Sequence, residues 1–344
     1  MPSPDNLAVI AAAGSRKTQC IVDRVLARPD QRALVTTYTN DNLQELQTRL
    51  RTEKGVVPQH VDTRGWLTFL LNEGARPYQS VVFGEAGVLA GLHFEKPKFN
   101  YARKVDARRY YLDSRNDVYR DKLAELVCAA DAESGGLVID RLASIYDHIY
   151  IDEVQDLAGY DLNLIDLLLD SPVAVTMVGD PRQGTYSAND SAKNRKYRRG
   201  GVADWLYERT DRCTVEERTV SFRCNQQICD FADALYPELP ATESKNSDLT
   251  GHDGVFCINP REVEAYVQEY RPTILRWKRT TNTHGLEAMN IGQSKGRTFD
   301  RVLIFPTGPM KKYLKTRDIA HAGDLAKFYV AVTRARYSVT FVVD

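Results

Sequence analysis

The stretch from Tyr146 to Asp156, YDHIYIDEVQD, constrains the fold more than any other. A short apolar run, Ile149-Tyr150-Ile151, passes directly into Asp152-Glu153, with Gln155 and Asp156 just beyond. A run of this length reads as a buried strand. Two adjacent carboxylates at its carboxyl end repel each other unless a cation or a catalytic task uses them. In open α/β sheets, ligands bind at that end of the strands. A magnesium–nucleotide site would place one acid on the metal and use the other to polarise a water. Taken alone, the stretch fits a strand followed by a solvated acidic turn equally well.

The start of the chain offers a partner for it. Leu7 to Ala12 is a second apolar run, followed by Ala11-Ala12-Ala13-Gly14-Ser15-Arg16-Lys17-Thr18 and a helix-like stretch to Arg28. Strand, small-residue turn, Lys-Thr and helix is the order of a phosphate-binding loop. Backbone N–H groups from Ala13 to Gln19 would cradle phosphates at the helix N-terminus. Lys17 would reach the β- and γ-phosphates, and the Thr18 hydroxyl would bind magnesium. Ala11 and Arg16 stand where GxxxxGK[ST] has its glycines, and a plain strand–turn–helix also fits.

Further strand ends carry polar groups. Arg32 to Thr39 ends in Thr36, Thr37, Tyr38, Thr39 and Asn40. Such hydroxyls and amides suit a phosphate backbone, or simply cap the next helix. Val61 to Leu71 brings Thr63 and Trp66 to a comparable edge, and Val173 to Val178 leads into Gly179-Asp180-Pro181-Arg182-Gln183. Between Asn72 and Ser144 the pattern turns richer in Gly, Tyr and charge, as in an insertion. Its segment YARKVDARRYYLDSR interleaves Arg and Lys with Tyr101, Tyr110 and Tyr111. This fits either base stacking with phosphate contact or a solvated helix face. Lys193 to Arg199, KNRKYRR, is the densest basic cluster and favours nucleic-acid contact through Lys193, Arg195 and Lys196. A second α/β unit begins near Thr214 and closes on the strand Ser338–Val343.

Composition leaves this reading open. The 344 residues suggest about two domains. Lys plus Arg and Asp plus Glu number 46 each, so any nucleic-acid footprint has to be local. The six cysteines follow no zinc spacing and read as reduced thiols. No run approaches the ~18 apolar residues of a membrane helix, and the N-terminus lacks a signal-peptide pattern. The expectation is a soluble, cytoplasmic protein with no membrane partner.

Read together, the motifs resemble the UvrD/Rep-like branch of superfamily 1 helicases. AAAGSRKT is similar to the family's phosphate loop, TTYTNDNLQELQTRL to its motif Ia and YIDEVQD to motif II. VGDPRQGTY is similar to motif III, SFRCNQQI to motif IV, IGQSKGRTFDRVLIF to motif V and FYVAVTRARYSV to motif VI. The resemblance implies an α/β fold of two RecA-like parallel-sheet domains with a small, mostly helical insertion in the first. Residues 1–71 and 145–213 would form the first domain, 72–144 the insertion, and 214–344 the second domain. ATP and Mg2+ are the implied cofactors.

The resemblance assigns roles at matching positions. Asp152 and Thr18 would hold the metal, and Glu153 would act as the base. Gln183 would contact the γ-phosphate. Phe222 would stack on adenine, and Arg223 and Arg334 would be arginine fingers of the second domain, completing a cleft that opens and closes with each turnover. Nucleic-acid contact would extend to Ser294 and Lys295 in motif V and to Tyr186 after motif III. The chain departs from the family at Arg16, at Gly292 and Thr298 in motif V, and after Tyr186, where Ser187, Ala188 and Asn189 replace a stacking aromatic and an arginine. The expected activity is ATP-driven 3′→5′ movement on single-stranded DNA. The alternative is an ATPase subunit that senses DNA and regulates a partner such as a nuclease, as in the Gabija anti-phage system.

Overall fold

The computed structural model describes Ser3 and residues 5–95, 102–185 and 191–344. They divide into two units. The first comprises residues up to Ile10, Lys17–Pro181 and Tyr186–Glu216; the second comprises Ala11–Arg16, Arg182–Thr185 and Glu217–Asp344. Tyr101 and Tyr186 lie outside the described residues.

The first unit is built on a six-stranded sheet. In chain order its strands are β1 (Leu7–Ala11), β2 (Ala33–Thr37), β3 (Val61–Gly65), β4 (His148–Asp152), β5 (Ala174–Gly179) and β6 (Thr214–Arg218). Their spatial order is β3-β2-β4-β5-β1-β6. The pairs β3–β2, β2–β4, β4–β5 and β5–β1 are parallel. Parallel neighbours need helical crossovers, and α1 (Lys17–Leu26) and α2 (Asn40–Lys54) supply the first two. The α2 helix starts where the Thr39 hydroxyl accepts the Asn42 N–H, and it stops at Gly55 in the left-handed conformation. Thr214–Arg218, which reads in the sequence as the opening strand of the second unit, pairs at the edge of this first sheet.

Strand β4 is buried at all five positions. Side-chain alternation puts Ile149 and Ile151 in the main core. His148 and Tyr150 share the other face, their rings stacked at 4.0 Å. Burial and the charges of Arg28 and Arg24 push the His148 imidazole down to about 3, so it sits neutral beside Thr176. Residues of the 72–144 segment join the same core. Leu123, Leu126 and Val127 from helix α3 (Arg120–Glu133) cluster with Trp66, Phe69, Ile149 and Ile165. Gly74 allows that approach, because a Cβ there would lie 2.8 Å from Val127 Cγ1.

The second unit carries a five-stranded parallel sheet. Its strands are β7 (Gly254–Ile258), β8 (Thr273–Arg276), β9 (Met289–Asn290), β10 (Phe299–Phe305) and β11 (Ala335–Val342), in the order β7-β11-β10-β8-β9. Phe328, Tyr329 and Val332 from helix α4 (Leu325–Val332) pack with Ile228, Val302, Ile304 and Phe341 in one core. Both sheets are thus of the parallel α/β type that the sequence implies.

A buried acid sets up a test of the first core. Asp161 accepts the Trp66 Nε1–H at 2.8 Å and the Ala158 N–H at 3.3 Å. Burial pushes its carboxyl up to about 6, and these two bonds restrain the rise. A carboxyl whose folded value lies above its unfolded one favours the fold while protonated. Its contribution is present below about pH 4 and is lost as pH rises through about 6. Asp161→Asn removes this titration. Urea denaturation should show wild-type stability falling by about 3 kcal/mol relative to the variant between about pH 4 and about pH 7. Parallel pH profiles would refute the assignment.

Candidate functional site

In the first unit, the site begins at the end of β4. Asp152 is 3% exposed. One carboxylate oxygen accepts the Thr18 hydroxyl at 2.9 Å, and the other accepts the Glu153 N–H at 2.9 Å. The sequence therefore brings Thr18, the second residue of α1, onto the acidic strand end 134 positions later. Burial and the neighbouring Glu153 charge push the Asp152 carboxyl up to about 7, while the Thr18 bond and the Lys17 charge pull it back. Lys17 opens α1 and is 9% exposed.

Glu153 occupies the left-handed region, φ 57° and ψ 44°. A non-glycine residue there costs about 1–2 kcal/mol, and such strain collects at functional sites. Gln155 sits beneath this turn, fully buried. Its amide N–H donates to the Glu153 carboxylate, and its amide oxygen accepts the Asp180 N–H at 3.0 Å. Gln155 thus ties the acidic turn to the segment after β5. Gly179 makes room for it: a Cβ there would lie 2.8 Å from Val154 Cγ1 and closer still to Gln155 Oε1. The sequence reading noted Gln155 without giving it a task. The available signal was an amide placed between the acids Asp152-Glu153 and Asp156 directly after a strand.

The donor set suits a magnesium nucleotide. A hydroxyl and a carboxylate are the hard oxygen ligands magnesium takes, and a divalent cation relieves the repulsion that raises the Asp152 carboxyl. The Ser15 hydroxyl is buried with no hydrogen-bond partner, as a donor reserved for a ligand would be. Gln19 is turned elsewhere: it bonds Asp23 at 2.8 Å and Arg49 at 3.1 Å.

Within the second unit, the loop Ala11–Arg16 packs closely on residues 221–223. The Gly14 carbonyl accepts the Phe222 N–H at 2.9 Å, and the Ala13 N–H donates to the Tyr329 hydroxyl at 3.2 Å. Gly14 is required, since its φ is +79° and a Cβ would lie 2.6 Å from Ser221 Oγ. Arg16 keeps the left-handed backbone of a loop glycine, φ 60°, and lays its guanidinium 4.0 Å over the Phe222 ring. Arg334 is 1% exposed, and its donors reach the Val330 and Arg297 carbonyls and the Gln183 amide oxygen, the last at 3.1 Å. Arg223 donates to the Thr333 carbonyl at 3.0 Å. Arg223 and Arg334 thus both donate to Thr333, and Arg334 links that pair to Gln183.

The expected nucleic-acid contacts divide. Trp66 is a correction: it is 1% exposed, and its N–H is committed to Asp161, so no ring face is available for a base. Ser294 is a second correction, being fully buried with its hydroxyl donated to the Ile291 carbonyl. Thr37 is 1% exposed, and its hydroxyl has no partner. Tyr38 packs against the core, Thr39 caps α2, and Thr63 accepts from Gln47 at 2.9 Å. Asn40, Lys193, Arg195 and Lys196 are exposed, and Lys295 is half-buried. Lys196 also pairs with Glu208 at 3.2 Å and lies 4.3 Å over the buried Tyr197 ring. In the insertion, Tyr111 is 3% exposed, and Tyr110 bonds Glu125, which also pairs with Lys104. Of that segment's described rings Tyr111 joins the core, while Arg103, Lys104, Arg108 and Arg109 remain exposed.

A parallel α/β sheet bearing Lys-Thr at one strand end and Asp-Glu at another defines a nucleoside-triphosphate-binding class. The chain belongs to the viral superfamily 1 RNA helicase core domain family, whose model matches residues 140–343, more than half its length. It is also similar in fold to the crystal structure of arterivirus nonstructural protein 10, a helicase, with TM-score 0.50 and 17% identity over 98% of this chain. The same viral protein in complex with DNA gives TM-score 0.48 and 14% identity over 98% of this chain. The chain spans 59% and 60% of the lengths of those two proteins. No curated protein matches it.

The Gln155–Gly179 fit gives a test of the acidic turn. Gly179→Ala should cost about 1–3 kcal/mol in chemical denaturation. Combined with Gln155→Ala, which removes the obstructing amide, the loss should be non-additive by about 1 kcal/mol. Strict additivity would place Gln155 away from β5.

Proposed function

We propose that the chain is a magnesium-dependent ATPase that drives movement on single-stranded nucleic acid, acting as a helicase or translocase. The observation that carries this reading is the Thr18–Asp152 contact, with Glu153 held in a strained turn directly beside it. Thr18 and Asp152 would hold the ion, and Lys17, with the backbone of Ala13–Thr18, would hold the phosphates. When bound, magnesium supplies charge neutralisation at the phosphate oxygens. Glu153 orients the attacking water and accepts its proton, its carboxylate aimed by the Gln155 amide. Gln183 reads the γ-phosphate, and Arg223 and Arg334 neutralise charge that develops on transfer. Because Gln183 and Arg334 share a hydrogen bond, loss of either disturbs both.

The UvrD/Rep-like wording of motifs II, V and VI supports 3′→5′ movement on DNA. The family description names RNA, so the sugar is assigned by experiment. The second reading is a nucleotide-hydrolysing subunit that senses nucleic acid and regulates a partner effector such as a nuclease in antiviral defence. It is favoured by the burial of Trp66 and Tyr111, which removes two candidate stacking rings among the described residues.

Hydrolysis should be measured with and without single-stranded DNA or RNA, using Glu153→Gln as control. The motor reading expects stimulation by at least one strand and a loss of about 100-fold or more in the variant. Stimulation without strand displacement or translocation supports the regulatory reading, and turnover indifferent to both strands overturns both. Absence of turnover under all conditions overturns the enzymatic account.

A further inference from the structure

We propose that Arg16 is a specificity-determining residue that caps the Phe222 ring and competes with the nucleotide base for it. This rests on the nucleotide-binding reading above and goes beyond it, since the family pattern has glycine at position 16.

The argument begins with the backbone. Position 16 has φ 60°, a conformation glycine adopts without penalty and arginine does not. A residue kept there against that preference brings a side chain, and the destination of this one is defined. The Gly14 carbonyl bond to the Phe222 N–H fixes the loop on residues 221–223, and the close approach at Gly14 leaves that packing no slack. Arg16 is therefore held beside the ring, with its guanidinium carbon 4.0 Å from the centroid. Among the described residues the Arg16 side chain has no ion pair or hydrogen bond, so the ring is its partner. Phe222 is 45% exposed even with Arg16 over its ring, so part of its surface stays open to a planar ligand.

A guanidinium is flat, cationic and stacks on aromatic faces much as a base does. Base and guanidinium cannot occupy the same face together. A nucleotide that stacks on Phe222 first displaces Arg16, and the freed cation, still on the loop Ala11–Arg16, adds attraction for the phosphates. The two effects have opposite signs: Arg16 weakens the contribution of the base and strengthens that of the triphosphate. For an exposed cation–π pair, the base contribution is reduced by about two- to fivefold.

The test uses the whole chain and two probes, Mg-ATP and Mg-tripolyphosphate, titrated calorimetrically. The ratio of their affinities isolates the base. In Arg16→Gly the ratio should rise about two- to fivefold, while tripolyphosphate binding itself weakens. Arg16→Lys, which keeps the charge with a poorer stacking group, should raise the ratio while leaving tripolyphosphate affinity near wild type. In the background of Phe222→Ala, Arg16→Gly should leave the ratio unchanged. A ratio that stays constant or falls in Arg16→Gly, with wild-type ATP binding intact, overturns the cap. A wild-type chain that binds neither probe overturns the nucleotide reading, and the cap with it.

Discussion

The first unit depends on a carboxylate that burial opposes. Asp152 stands at the end of a strand buried at every position, next to a second acid, and it is held by one hydroxyl and one backbone N–H. Nothing in the apolar core requires an ionisable group there. Burial and the adjacent Glu153 charge push its carboxyl well above the usual carboxylate range. Such an arrangement is costly for stability and useful for binding a cation. The surrounding features serve that carboxylate. Thr18 reaches it from the head of α1, Glu153 takes a strained backbone beside it, and Gln155 braces that strain against the strand bearing Gly179.

Much of this was legible in the sequence because it is local. Strand β4 was visible as an apolar run closed by acids, and β1 with its following turn as an apolar run closed by Lys-Thr. The motif order pointed to superfamily 1, the superfamily to which the matching family belongs. Where the sequence misled, the answer lay in contacts distant along the chain. Trp66 reads as a strand-edge aromatic, yet its N–H finds a carboxylate 95 residues away, and the ring fills the core. Tyr110 and Tyr111 alternate with basic residues as a stacking surface would, yet Tyr111 is buried in the core and the Tyr110 hydroxyl is engaged by Glu125 from α3. The stretch Thr214–Phe222 reads in the sequence as the start of a second α/β unit; its strand Thr214–Arg218 pairs at the edge of the first sheet, because period-two patterning does not state which sheet a strand joins.

Arg16 illustrates the converse case. In the sequence it is a departure from a glycine-bearing loop. In the structure the glycine-like backbone is retained, and the added side chain has a specific neighbour in Phe222. Arginine at this conformationally demanding position gives the loop a flat cation to present. The Gln183–Arg334 bond has the same character, joining residues from two motifs into one polar cluster that no local pattern announces.

The central claim, that the Asp152 end of β4 is a nucleotide-dependent metal site, is tested most directly by electron paramagnetic resonance of Mn2+ as a magnesium substitute. In the presence of a non-hydrolysable ATP analogue, wild-type protein should bind one Mn2+ per chain, and Asp152→Asn should weaken that binding by about tenfold or more while the fold is retained. Equal Mn2+ affinity in wild type and variant would contradict the account.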